Sequence, residues 1–178
     1  MSARHARFCI QCGAPLVQRL LADEGVERLT CSRAPTCAYV CYNNPTPVVA
    51  ALVEHGDEIV LVQNMGWPAT WFGLVSGFLE AHEDPRAAVV REVKEELGLE
   101  CDIISLLGVY PGVARANQVL ICFHVRSKDA AAPIRPCPRE IQAVKRVAPH
   151  RLQPWPGGTG EAVREWMTRR ARDIKSKL

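Results

Sequence analysis

What the chain lacks narrows its class first. No apolar run approaches the ~20 residues that a membrane-spanning helix requires, so no membrane partner is expected. The opening residues, Met1 to Cys9, lack the apolar core of a secretory signal, and the expected location is the cytosol. Charge of one sign is scarce. The formal net charge is only +3 and no basic patch is interleaved with aromatics, which argues against nucleic acid as the main partner. No internal repeat is visible, which excludes solenoids and propellers. Large apolar residues are few in the first 40 or so positions, too few for that stretch to fold alone without a metal.

What is present fits a globular protein: 48% apolar and 23% charged residues in 178, room for one domain and a small appendage. Eight cysteines in a chain expected in the cytosol point to metal binding rather than disulfides. Cys9 and Cys12 have the spacing of a zinc knuckle, with Gly13 easing the turn behind the second sulfur. Cys31, Cys37 and Cys41 follow, and spacing alone does not select the second pair among them. Four thiolates in tetrahedral array would close a structural Zn²⁺ site.

The chain is organised around the stretch from Gly77 to Leu99, with five glutamates in 23 residues. Gly77 reads as a turn residue in a loop. Asp84 stands where an N-cap belongs, Pro85 where a helix begins, and Gly98 where it ends in a left-handed cap. Val90, Val93 and Leu97 share one face of that helix, read as buried. Glu92, Glu95 and Glu96 fall within roughly 100° of arc on another face. Like charges at such spacings repel by a few tenths of a kcal/mol each, and a hard divalent cation with oxygen ligands would remove that penalty.

Elsewhere, Pro45 to Pro47 read as a linker. Strands are expected over residues 48–55, 58–63, 103–109, 119–126 and 141–147, with Gly56-Asp57 turning a hairpin. Residues 67–72 are aromatic-rich and irregular, and 127–139 form a proline loop. Residues 159–175 pattern as an amphipathic helix with Val163, Trp166 and Met167 on its apolar side.

Gly77, five residues, Glu83, seven residues, Arg91-Glu92-Val93, one residue, Glu95-Glu96, one residue, Gly98-Leu99: this spacing resembles the Nudix box in full. The resemblance covers about residues 45 to 175. It implies an α/β fold, an α/β/α sandwich around a mixed sheet over 45–178, behind a small zinc ribbon over 1–44. It also implies Mg²⁺- or Mn²⁺-dependent hydrolysis of a nucleoside diphosphate linked to another moiety. By position, the resemblance makes Glu92 and Glu96 metal ligands and Glu95 a ligand or the base. The Ser76 carbonyl is expected to complete one shell, and Arg91 with Glu83 to pin the loop to the helix. Glu140 resembles a further catalytic, metal-binding glutamate of such enzymes; read alone it is an exposed loop charge. Whether Glu95 or Glu140 acts as base stays open. In zinc-ribbon Nudix proteins the last zinc ligand precedes an aromatic-containing stretch ending Tyr-x-Asn-Pro. Cys37 to Pro45 matches it when Cys37 is the ligand, giving Cys9, Cys12, Cys31 and Cys37, with Ser32 to Thr36 a widened knuckle and Cys41 a spare thiol.

The ribbon ahead of the box resembles the NADH pyrophosphatases, but their Ser-Gln-Pro-Trp-Pro-Phe-Pro signature is absent. Its place is taken by Val109 to Arg115. Gln153-Pro154-Trp155-Pro156 spells part of it, roughly 55 residues past Gly98, and does not support NADH. FAD- and ADP-ribose-type substrates stay open. Trp71, Phe78, Tyr110 and Arg115 are candidates to stack on a base or grip a phosphate, and a homodimer is compatible with the sequence. Two other readings stand: a ligand-sensing or nucleic-acid-binding regulator, and decapping of nucleotide-capped RNA. Sensors commonly lose the box glutamates, all of which are kept here.

Overall fold

A computed structural model describes residues 6–113 and 117–176. The chain divides into two compact units, Met1–Pro45 and Thr46–Leu178. In the first, β1 (Leu16–Leu21), β2 (Val26–Cys31) and β3 (Val40–Cys41) form an antiparallel sheet. Its core is little more than Cys9, Ala14 and Cys31, with Cys12, Leu16, Cys37 and Tyr39 packed against them. Gly13 takes φ +71° as its N–H bonds the Cys9 carbonyl at 2.9 Å, closing the knuckle turn. Turns over residues 32–36 bring Cys37 back to the first pair. The sulfurs of Cys9, Cys12, Cys31 and Cys37 all lie within 4.8 Å of one another, with Cys9 to Cys37 at 3.7 Å and Cys12 to Cys31 at 3.4 Å. A tetrahedron of sulfurs around Zn²⁺ at ~2.3 Å has edges of about 3.8 Å, so the donor set fits that ion. Cys41 sits in β3 opposite Leu29 and is not in the cluster. A hydrogen bond from the Ala14 backbone, then the neighbouring Cys31, lowers the Cys12 thiol to about 7, toward the thiolate that zinc requires.

The second unit is built on β4 (Thr46–His55), which runs parallel to β8 (Gln118–Ser127). The sheet order is β7-β8-β4-β5-β9, with β7 (Cys101–Pro111), β5 (Glu58–Asn64) and β9 (Ile141–Val147) antiparallel to their neighbours. Thr46 and Pro47, read from sequence as linker, are the first residues of β4, paired with Gln118 and Val119. Alternation along β4 divides the core. Val49, Ala51 and Val53 pack with Val89, Val93 and Leu97 of α1 (Pro85–Leu97). Val48, Ala50 and Leu52 pack with Ala162, Val163 and Trp166 of α2 (Thr159–Lys175). Each such buried Val or Leu contributes roughly 1.5–3 kcal/mol of transfer free energy. This is the expected sandwich, with one helix against each face of a mixed sheet.

One strand of this unit was not expected. Residues 75–78, where the sequence offered no element and a turn at Gly77, form β6 (Val75–Phe78), which pairs with β4 over Val48–Ala51. β5 pairs with β4 over Val53–His55. Both therefore leave the same edge of β4 at different heights, and the sheet forks. No helix among the described residues is long and apolar enough to cross a membrane.

The cysteine geometry makes a prediction. Cys12→Ser should lower bound zinc from one per chain and loosen the first 45 residues, whereas Cys41→Ser should leave zinc in place. Metal analysis of the two purified variants checks it, and zinc retained in Cys37→Ser but lost in Cys41→Ser would reverse the assignment.

Candidate active site

Helix α1 is set by its ends. Asp84 accepts a hydrogen bond from the Arg86 N–H at 2.7 Å, Pro85 begins the first turn, and Gly98 closes the last at φ +68° with its N–H on the Lys94 carbonyl. This fixes which residues face the fork. Gly77 lies directly against Glu92: a Cβ there would overlap the Glu92 carboxylate. The box glycine thus leaves room for the Glu92 carboxylate against the strand, and it takes no left-handed φ of the kind a turn would ask for.

That approach corrects the picture of a carboxylate wall in solvent. Glu92 is 7% and Glu96 2% exposed, while Glu95 is exposed. Two acids are shut beneath β6, and the cost shifts from tenths of a kcal/mol of surface repulsion to desolvation of buried charge. Glu96 is the extreme case. Burial, followed by the charges of Glu92 and Glu140, raises its carboxyl to about 8 against one opposing hydrogen bond from the Ser76 backbone. Its Oε2 is buried with no hydrogen-bond partner among the described residues. Glu92 is also raised, by burial first, with Arg91 opposing.

Arg91 organises the rest. Its Nε and Nη2 donate to the two oxygens of Glu83 at 2.7 and 2.9 Å. Its Nη1 donates to Glu92 at 2.7 Å and Glu95 at 3.0 Å, and Nη2 reaches the Phe78 carbonyl at 3.3 Å. The guanidinium so ties the 79–84 loop, β6 and α1 together, and its hydrogen bonds hold the Glu83 carboxyl below its ordinary range.

Glu140 is brought to this place by backbone bonds that the sequence did not signal. The open carbonyls at the end of α1 take donors from the proline loop: Cys137 N–H bonds Glu96 O at 2.9 Å and Arg135 N–H bonds Leu97 O at 2.8 Å. Glu140 N–H then closes on Cys137 O, and Met65 N–H bonds Glu140 O at 2.7 Å. Glu140 thereby comes close enough for its charge to raise both Glu92 and Glu96.

The four substrate candidates separate. Phe78, at the end of β6, and Trp71, in the loop before it, are 59% and 62% exposed. Tyr110 packs on the α2 side of the sheet, opposite α1, with its hydroxyl donating to the Leu107 carbonyl at 3.2 Å. Arg115 lies outside the described residues. Missed from sequence was Asn64 at the end of β5, whose buried Oδ1 also has no partner among the described residues; an asparagine closing a strand carries no signal. Buried acids, an unsatisfied carboxylate oxygen and an all-oxygen donor set together fit a hard divalent cation.

The raised Glu96 carboxyl has a consequence for metal-free protein. The folded state keeps its proton up to about pH 8, whereas the unfolded chain releases it near 4.5. Between those values the folded state binds more protons, so stability falls as pH rises through the window. Melts in EDTA from pH 5 to 8.5 should show this fall, and Glu96→Gln should flatten it; an unchanged slope in the variant would assign the effect elsewhere.

The NUDIX domain model matches residues 44–168 and the Nudix N-terminal model, a zinc ribbon, residues 7–43. The NAD-capped RNA hydrolase NudC of Pseudomonas aeruginosa is 34% identical over 106 residues, 60% of this chain and 36% of that protein. The enzyme of the same name from Pseudomonas putida is 29% identical over 160 residues, 88% of this chain and 53% of that protein. The chain thus spans about half the length, or less, of these curated relatives. A NUDIX hydrolase crystal structure from Nitrosomonas europaea superposes with a TM-score of 0.75 at 24% identity, covering 94% of this chain and 93% of that one, which shows a shared fold. With a family model spanning most of its length, the chain belongs to the Nudix family.

Proposed function

We propose that this chain hydrolyses the pyrophosphate bond of a nucleoside diphosphate linked to a second moiety, using Mg²⁺ or Mn²⁺ held by Glu92 and Glu96. The observation that carries this reading is the buried Glu96 oxygen without a partner. A carboxylate so placed costs several kcal/mol unless a cation meets it. When bound, such a cation neutralises phosphate charge and makes a water nucleophilic. The Ser76 carbonyl, Glu95 and Glu140 are the further oxygens available to it, and Glu95 or Glu140 takes the proton of the attacking water. Arg91 positions rather than reacts: it holds Glu92 and Glu95 on one guanidinium edge and Glu83 on the other. In the first unit Zn²⁺ on the four cysteines is structural, because all four positions are filled by protein.

For the substrate, exposed Trp71 and Phe78 offer ring faces for a base. The names of the relatives favour an NAD-type dinucleotide, free or at the 5′ end of an RNA, over a regulator without chemistry. The missing signature at Val109 to Arg115 keeps FAD- and ADP-ribose-type substrates beside it. The proposed compartment is the cytosol.

NADH, FAD, ADP-ribose, dinucleoside polyphosphates and an NAD-capped RNA, each with Mg²⁺ or Mn²⁺, should separate these, with release of mononucleotide or 5′-monophosphate RNA as readout. No turnover of any of them would leave the sensing reading in its place. On the best substrate, Glu140→Gln should lower kcat at least ten-fold, ~1.4 kcal/mol in barrier, with little change in Tm. Unchanged kcat would confine the chemistry to the box.

A further inference from the structure

Among the described residues, two buried side-chain oxygens or nitrogens lack a hydrogen-bond partner: Glu96 Oε2 and Asn64 Oδ1. They belong to one place. Asn64 is paired with Ile141 across β5 and β9, and Ile141 is buried in the core on the α1 side, so Asn64 faces α1 as well. The next residue, Met65, bonds the Glu140 carbonyl at 2.7 Å, and the segment that carries Glu140 bonds Glu96 through Cys137. Two orphan acceptors on the same face, joined by the strand and loop that frame the fork, ask for one occupant that brings donors to both.

A water alone could serve Asn64, but it brings no positive charge to Glu96, which without metal stays neutral only by keeping its proton. A hydrated divalent cation meets both needs, because Mg²⁺ and Mn²⁺ keep several waters and those waters are strong donors. We propose that Asn64 is a positioning residue of this cation site, its Oδ1 accepting a hydrogen bond from a water ligand of the ion that Glu96 binds. The inference rests on the cation reading above. Outer-sphere partners of this kind typically govern 10–100-fold in metal affinity.

The test is Mn²⁺ titration of the full chain, by calorimetry and by the electron-paramagnetic-resonance signal of free Mn²⁺, beside melts in EDTA. Asn64→Leu keeps the volume and removes the acceptor. It should weaken Mn²⁺ binding about tenfold, while the metal-free Tm holds or rises because a buried unpaired oxygen has gone. Asn64→Asp puts a charged acceptor at the same point and should bind Mn²⁺ more tightly than the parent. Asn64→Leu binding as tightly as the parent, or Asn64→Asp binding no more tightly, overturns the assignment, and Asn64→Asp alone decides should Asn64→Leu fail to fold. Glu96→Gln in the same titration keeps the two levels apart. Loss there with no change at Asn64 sinks this inference only, while a parent that binds no Mn²⁺ sinks the cation reading itself.

Discussion

The contact on which the second unit depends is that between the backbone of β6 and the acidic face of α1. Gly77 puts no side chain between them, and the strand therefore closes over Glu92 and Glu96. Everything distinctive about the site follows from that closeness. Carboxylates that would titrate normally in water are held with their protons or with a counter-charge, and the Ser76 N–H is one of few groups that can answer Glu96. Arg91 stabilises the same contact from the rim, since it bonds Phe78 at the end of β6 as well as the helix acids. A larger residue at position 77 would meet the Glu92 carboxylate itself and push it from its place against β6.

The helix was legible down to its caps because Asp84, Pro85 and Gly98 act locally, on backbone groups within a few residues. The final helix was equally plain from its apolar stripe, whereas the second cysteine pair was left open by spacing and came only from the resemblance to zinc-ribbon Nudix proteins. The fork was not legible. Val75 to Phe78 is too short to show a period, and its glycine speaks for turn and for close approach alike. Nor could helical arc reveal burial: an angle says which residues share a face, not what covers it. The face taken by Tyr110 was hidden for another reason. β7 shifts register twice against β8, between Ile103 and Ser105 and between Leu106 and Gly108, so strict alternation cannot be counted through it.

The two donor clusters differ in the way their chemistry demands. The ribbon gathers four soft donors into a closed shell around which there is almost nothing else to pack. A zinc ion bound there would stand in for a hydrophobic core. The glutamate site draws hard donors from separate elements, α1 and the turn before β9, onto a scaffold already stabilised by two apolar layers. A cation held there, as proposed, would serve charge balance rather than folding.

The tether between the proline loop and the end of α1 bears on how such a chain can change. Glu140 is placed by main-chain bonds at Arg135, Cys137 and Met65, none of which depends on the identity of the side chains that donate or accept. Upstream of Arg135, Lys128 N–H bonds the Glu100 carbonyl at 2.9 Å and Ala132 packs on the α1-side core, while Asp129 to Ala131 are exposed. Insertions or deletions there would lengthen or shorten the excursion without displacing the carboxylate, whereas a single residue added between Arg135 and Glu140 would carry it out of reach. Length change at the exposed Asp129 to Ala131 thus disturbs Glu140 least, and between Arg135 and Glu140 most.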